Sequence, residues 1–404
     1  NAINYDISLS YQEQKRKVKA YQYEVLTGNE LDVNKYEYES RKVYYSKGMF
    51  SNFINKNDVF DFQFGYEIDQ TRGFASPLSM EFNDNPDNPI KRNIGTYDFF
   101  ASSEINFSDK ISLRPGARVM FSEQFDTQTA ISLSAKYVFG KDWELRGIIG
   151  TSPRLPNYDE MYSFFKNVNH DIRGNEDLNP ENGYSVFLHL KKNLKFNSDT
   201  NLEQKLSLWN IDLKDKIALV VISETPFLRY QYKNIDTYKV HGATYMNQFT
   251  IGNISGGIGA SLTGIKQSID QENFIETVKN RYFYSVQANA NVSYKLPSTK
   301  TIFSVFYKYN GEQEQYTLKT NTVTRESYYA KGKQQAFSWM DASVRQAFFR
   351  DKFDVTIGAR NLFDVKYLTN TTGNDGAHTA GASSILYGYG RSYFVKLSFN
   401  LGIN

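Results

Sequence analysis

The sequence predicts an all-β protein, a transmembrane antiparallel β-barrel, on three observations. Extended segments alternate between apolar and polar residues, the polar positions carry charges at mid-strand, and the connections alternate between short and long. Ile111, Leu113, Pro115, Ala117, Val119 and Phe121 share one side of such a segment; Lys110, Ser112, Arg114, Gly116, Arg118 and Met120 share the other. Successive side chains on a strand point to opposite faces, so each segment has one apolar and one polar face. Phe60/Phe62/Phe64/Tyr66, Ile131/Leu133/Ala135/Tyr137, Trp143/Leu145/Gly147/Ile149, Phe353/Val355/Ile357/Ala359 and Tyr393/Val395/Leu397/Phe399/Leu401 repeat the pattern. A water-soluble sandwich would pack its apolar faces together. Here the charge on the polar faces and the aromatic load of the apolar ones fit a barrel whose apolar side meets lipid and whose polar side meets an enclosed lumen.

Taken along the chain, the segments number about 17. Short connections are expected at Glu13–Arg16, Lys56–Asn57, Ser108–Lys110, Gly140–Asp142, Lys195–Thr200, Ile251–Asn253, Pro297–Lys300 and Arg350–Lys352. Longer ones are expected at Gly28–Asn34, Gly73–Arg92, Pro153–Pro180, Gln267–Lys279, Gly311–Gly332 and Lys366–Gly388, with brief tips near Phe125 and Pro226. Short periplasmic turns alternating with long external loops are the pattern of outer-membrane barrels. Such barrels have an even strand number, so an odd count leaves Asn1 on the loop side and implies missing strands. On this reading residues 1–404 are one barrel domain, incomplete at its N-terminal side. The final strand, with Phe399 and Leu401, is amphipathic, although Gly402-Ile403-Asn404 departs from an aromatic last residue.

Composition narrows the functional classes. No run approaches the ~18 apolar residues of a transmembrane helix, and the negative mean hydropathy is compatible with strands that line water on one side. Thirty Tyr and thirty Phe suit aromatic girdles at both membrane interfaces. A formal charge of +3, with no basic run, gives no reason to expect a nucleic acid partner. Absence of Cys is consistent with an exported protein. There is no Gly-x-Ser-x-Gly elbow, phosphate-cradling loop or Cys nucleophile, so an enzyme is not expected.

Three segments resemble the TonB-dependent outer-membrane receptors, in the style of those from the Bacteroidetes. Thr151-Ser152-Pro153-Arg154-Leu155-Pro156, with Glu160-Met161-Tyr162 after it, resembles the family's Phe-Arg-Ala-Pro segment and the Glu-Leu/Met-Tyr that follows. Gly174-Asn175-Glu176-Asp177-Leu178-Asn179-Pro180-Glu181 resembles its Gly-Asn-Pro-Asp-Leu-Lys-Pro-Glu. Arg360-Asn361-Leu362-Phe363-Asp364-Val365-Lys366-Tyr367 resembles its Asn-Leu-Phe-Asp-Lys-Lys-Tyr. Leu155 stands where the family has Ala, and Glu176 where it has Pro, which leaves the second turn less rigid. The resemblance implies the C-terminal part of a 22-stranded barrel in the bacterial outer membrane, with a plug domain and a TonB-engaging segment that this sequence does not contain. It also implies TonB-dependent import of a scarce metal complex, haem or a ferric siderophore, with no intrinsic cofactor. A passive porin of 16 or 18 strands, or a barrel serving as scaffold for a surface lipoprotein, is the alternative.

Within Pro153–Pro180 the candidate ligand contacts are Arg154, Tyr158, Tyr162, His170 and Arg173, with Pro156, Asn175, Asp177, Leu178 and Pro180 as motif residues. Rings for stacking, a nitrogen for iron and cations for propionates are what a flat metal-centred ligand needs. In haem receptors of the family a ligating His lies between the two motifs, and His170 occupies that interval. The alternative for His170 is a hydrogen bond to the turn that follows it. His378, in the Gly-rich final loop, is a further candidate at the mouth. His189 and His241 are expected on the lumenal side, in hydrogen-bonded roles. Glu144, Asp98 and Asp354 are expected to be neutralised there by Arg146, Arg114, Arg118 and Arg360. No His pair has metal-ligand spacing.

Overall fold

The computed structural model describes residues 4–51, 59–75, 90–166, 171–223, 229–268, 281–320, 327–349, 352–369 and 384–399. His170, His378 and the expected turn at Lys56–Asn57 lie outside them. The described residues are almost entirely strand, with one short helix, Tyr158–Tyr162. None of their helices is long and apolar enough to cross a membrane.

Sixteen described strands have eight or more residues, apart from an added hairpin of Gln313–Thr320 with Ser327–Gln334; antiparallel neighbours run in chain order from Asn4–Glu24 to Ile111–Ser122, and again from Arg229–Ile251 to Ser392–Phe399. The difference from the expected 17 lies at Glu13–Arg16. Asn4–Glu24 is one continuous strand paired with Asn29–Ser51, with Glu13 opposite Lys42, Gln14 opposite Arg41 and Lys15 opposite Ser40. Glu-Gln-Lys-Arg offers none of the Gly, Pro, Asn or Asp that a tight turn uses, and only a register shift after Arg16 marks the place. The turn comes later, where Gly28 adopts φ +72° and its N–H donates to the Glu24 carbonyl. Sixteen long described strands, with the added hairpin, thus stand against the expected count of about 17. Pro115 sits within Ile111–Ser122, where it lacks an N–H: pairing with Ile90–Ser108 runs through Ser102–Gly116 and resumes at Ile105–Leu113.

The chain divides into two compact units, Asn1–Ser134 with Gly150–Gly183 and Asp215–Asn234, and Ala135–Ile149 with Tyr184–Lys214 and Ile235–Asn404. In the second, the pairings place Ile254, Tyr294, Phe303, Val344, Ile357 and Val395 side by side across six strands. All six are between 41% and 66% exposed. One residue along, the other face carries Ser255, Ser293, Ser304, Ser343 and Gly358, with the Ser293 and Ser304 hydroxyls 2.8 Å apart. An apolar row this long would be strongly unfavourable in water, at roughly 25 cal/mol per Å². The arrangement is the inverse of a soluble sheet and fits a wall in lipid. In the first unit the same division holds, with Phe64 and Phe99 exposed on one face and Asp98 buried on the other. His189 lies on the polar face and shares a 2.9 Å hydrogen bond with Ser207. His241 does not: it is on the apolar face, opposite Gly264, with Tyr284 Oη 3.0 Å from its Nε2. Of the expected ion pairs, Asp98–Arg118 and Glu144–Arg146 form, whereas Asp354 is held by Arg345.

Candidate functional site

Most of the buried apolar side chains of the first unit gather where the Pro153–Pro180 loop meets the strands. Ser152 N–H donates to the Gly183 carbonyl, and Arg154 and Glu181 exchange both backbone hydrogen bonds, so the loop leaves and rejoins the wall as a paired ladder. Pro156, buried almost completely, ends that ladder. Asn157 then caps the helix Tyr158–Tyr162: its Oδ1 accepts from Glu160 N–H at 3.0 Å, and Glu160 Oε2 accepts from Asn157 N–H at 2.9 Å. This reciprocal cap satisfies two otherwise unpaired donors. Leu178 and Met161 are 3% and 4% exposed.

Arg154 clasps the structure. Its guanidinium donates to Glu160, at 2.8 Å, and to Glu181, whose carboxylate also accepts from Ile217 N–H at 2.7 Å. The Glu181 hydrogen bond, foremost, outweighs burial and holds the guanidinium above its ordinary pKa. Tyr158 is buried with Ile94 and Met161, its hydroxyl over Gly73, where even a Cβ would collide. Tyr162 packs against this cluster, with the Arg92 guanidinium 4.8 Å from its ring centroid. Arg92 also pairs with Glu176, and Arg41 pairs with Asp159.

The segment Asp171–Arg173 is a short strand, antiparallel to Phe164–Lys166 and parallel to Arg229–Gln231. Asp171 is buried between two guanidinium groups: Arg173 Nε at 2.8 Å and Nη2 at 3.1 Å, and Arg229 Nε at 2.8 Å. Burial pushes its carboxyl upward, but the hydrogen bonds from Arg173 and Arg229 outweigh that and hold it below the ordinary carboxylate range. Asn175 Oδ1 accepts from Asp177 N–H at 3.0 Å, an Asx turn, while its amide donates to the Tyr232 carbonyl. Asn234 completes the anchoring, accepting from Asn179 N–H and donating to the Asn179 and Asp215 carbonyls.

The third motif is built likewise in the second unit. Asn361, fully buried at φ +54°, donates to the Val365 carbonyl and accepts from Val365 N–H, closing its own turn. Asp341 accepts from both Asn361 N–H and Trp339 Nε1 at 2.8 Å. Asp364 accepts from Arg391 N–H, which with the Lys366 ammonium holds its carboxyl below the ordinary value.

Among the expected contact residues, then, Arg154, Tyr158, Tyr162 and Arg173 converge on one loop and its anchors. Their described partners are largely protein groups that hold this loop in shape. Arg41, Arg92, Arg229 and Asn234 come from distant strands, and no local spacing announces them. The Asn157–Glu160 cap was readable in sequence as Asn-x-x-Glu. Among the described residues no cluster of three or more His, Asp or Glu side chains is placed to hold a metal ion.

Comparison with known proteins agrees with this architecture. The ferric enterobactin receptor PfeA of Pseudomonas aeruginosa is 15% identical, with a TM-score of 0.68 over 97% of this chain and 59% of that one. The siderophore receptor PirA of Acinetobacter baumannii is 15% identical, with a TM-score of 0.66 over 98% of this chain and 60% of that one. The copper transporter OprC is 13% identical, with a TM-score of 0.68 over 98% and 62%. The chain thus spans about three fifths of the length of each. No curated protein matches it. The family model for the TonB dependent receptor-like β-barrel matches residues 1–362. With its two-faced strands and its three motif segments, the chain belongs to the TonB-dependent receptor β-barrel family of the Gram-negative outer membrane.

Proposed function

We propose that the protein imports a scarce metal complex, haem or a ferric siderophore, across the outer membrane, with TonB acting through a plug domain. The observation that carries this reading is the tethered Pro153–Pro180 loop on a wall of lipid-facing strands. Such a loop would present a preformed external surface for binding. A preformed surface binds without a large ordering cost. The siderophore and copper specificities named for the structural neighbours favour a metal-bearing cargo. Arg154, Tyr158 and Arg173 would shape the surface through the bonds described above. Tyr162, His170 and His378 would supply contacts, and His170 would ligate the iron if the cargo is haem. A surface lipoprotein is a natural partner at the external rim.

Titration of the intact receptor with haem tests this. A Soret shift that disappears in His170→Ala is the expected result for haem. Undiminished haem affinity in that variant removes His170 as axial ligand. A receptor that binds neither haem nor ferric siderophores, and whose deletion leaves uptake of both unchanged, overturns the import of these cargoes.

A further inference from the structure

We propose that the lipid-facing wall of the second unit ends, at its external rim, in a site for a phosphorylated glycolipid, centred on Lys239 and Lys266. The two lysines are direct cross-strand partners, on the face that carries Leu262, Ile258 and Ile254. Like charges in directly opposed positions destabilise a sheet, so a pair of ammonium groups on the apolar side calls for an anion. Asp212 supplies half of it: its Oδ2 accepts from Lys239 Nζ and, at 3.4 Å, from Tyr184 Oη. Lys266 has no carboxylate partner among the described residues; its Nζ lies 5.8 Å from the Tyr282 ring centroid. His241 and Tyr284 lie one register step below, bonded to each other at 3.0 Å. Among the described residues one cation is thus neutralised, and the other has hydroxyls and an imidazole near it.

The height of this cluster matches a headgroup. Ile254 begins its strand beside the tight turn at Gly252, and the exposed side chains above it are Ile258 and Leu262. Lys266 stands twelve residues beyond Ile254, about 40 Å along a strand rising ~3.4 Å per residue. A tilt of ~45° turns that into about 29 Å, close to the ~30 Å hydrocarbon thickness. The other end of the neighbouring strands carries short turns, while this end carries the Gln313–Gln334 hairpin, which marks it as external. A phosphate between Lys239 and Lys266 would accept charge-assisted hydrogen bonds. Its acyl chains would run down the exposed column of Val286, Leu262 and Ile258. Free phosphate could use the lysines but not the column. A phosphorylated glycolipid uses both, and it is the outward-facing lipid of such a membrane.

The test is lipid binding to the detergent-extracted, delipidated receptor, read by native mass spectrometry with bis-phosphorylated lipid A as probe. Lys266→Ala leaves the Asp212–Lys239 pair intact and is expected to weaken binding about fivefold, the worth of one lysine near an anionic surface. Lys266→Glu should weaken it further, and Lys308→Ala, on the opposite face, should not change it. Dephosphorylated lipid A should bind the unaltered protein no better than lipid A binds the Lys266→Ala variant. Equal affinity of the unaltered protein and Lys266→Glu for lipid A would overturn the site. Equal affinity for phosphatidylglycerol and lipid A would overturn the choice of glycolipid. The readout involves no cargo, so failure here leaves the import reading standing.

Discussion

Two stretches of polar face, one in each unit, solve one problem in different ways. In the first, the face is charged: Arg118 donates to Asp98 at 3.0 Å and to Glu67 at 2.9 Å, Tyr45 Oη donates to Glu67 at 3.0 Å, and Arg114 reaches Gln63 at 2.9 Å. Long side chains there cross two or three strands and lock their register. In the second, the described residues paired on this face from Val240 through Ser293 include no ionisable group. Ser255, Gly257, Gly259, Ser261 and Thr263 are small, and hydroxyls meet in pairs such as Thr244 with Ser261 at 3.0 Å. Alternation is common to both; what fills the polar half differs. A charged face concentrates its stability in a few residues whose loss strands a partner, whereas a hydroxyl face spreads it thinly.

The sharpest way to break this contrast is Arg118→Ala. It leaves Asp98, buried and already with one oxygen lacking a partner among the described residues, facing Glu67 with no cation between them. Asp98 is buried but the Arg118 side chain is about a third exposed, so the loss should be about 1–3 kcal/mol, short of that for a fully buried pair, to be read as a lowered midpoint of unfolding in detergent. Arg118→Met combined with Asp98→Asn should recover most of that loss. If the single variant is as stable as the parent, the charged face is not where this unit keeps its stability.

A smaller effect tests the loop against the wall. Asp171 is held in its ionised form by Arg173 and Arg229, so its folded-state pKa lies below the unfolded value. A depressed carboxyl contributes stability that is present above the unfolded pKa, about 3.9, and is lost as pH falls through the folded value. Amide protection of residues 171–173 and 229–231 should therefore stay level from neutral pH down to about 4. It should decline only below that. In Asp171→Asn the protection should be lower from neutral pH down to about 4, and flat in this range. A decline that begins near pH 6 would point to a histidine rather than to Asp171.

The fold was legible because lipid imposes a period of two over many strands, and that signal survives without any core to infer. Ile357 beside Val344 and Val395 needed only alternation to be placed. What alternation could not decide was where strands end. Glu13–Arg16 looks polar enough to turn, yet Glu13 is met along its own strand by Lys15, at 3.3 Å, and across it by Lys42, at 4.0 Å. His241 was misplaced for a related reason. An imidazole reads as lumenal, but His241 lies mid-strand in Arg229–Ile251, at the level where the shorter neighbouring strand Ile254–Ser268 nears its end and the lipid-facing side tolerates polarity. Within the Pro153–Pro180 loop the motif residues were readable. Their long-range anchors were not, since the contact between Arg41 and Asp159 depends on how strands pair and leaves no trace in local spacing.

The smallest expected effect is on the hydroxyl face, and it bears most directly on the contrast. Ser293 and Ser304 share one hydrogen bond, at 2.8 Å, on opposed positions of neighbouring strands. Ser293→Ala leaves Ser304 on a half-buried face that it can satisfy with water. The loss should be at most about 1 kcal/mol, the net worth of an ordinary hydrogen bond. Ser293→Ala with Ser304→Ala should cost no more than the single change, because no donor or acceptor is then left over. A double-mutant cycle with Arg118 should give no coupling, since the described partners of the two residues are different. A loss at Ser293 as large as that at Arg118 would mean that the small-residue face is a packed surface with its own stringency. The division between a concentrated and a dispersed polar wall would then be wrong.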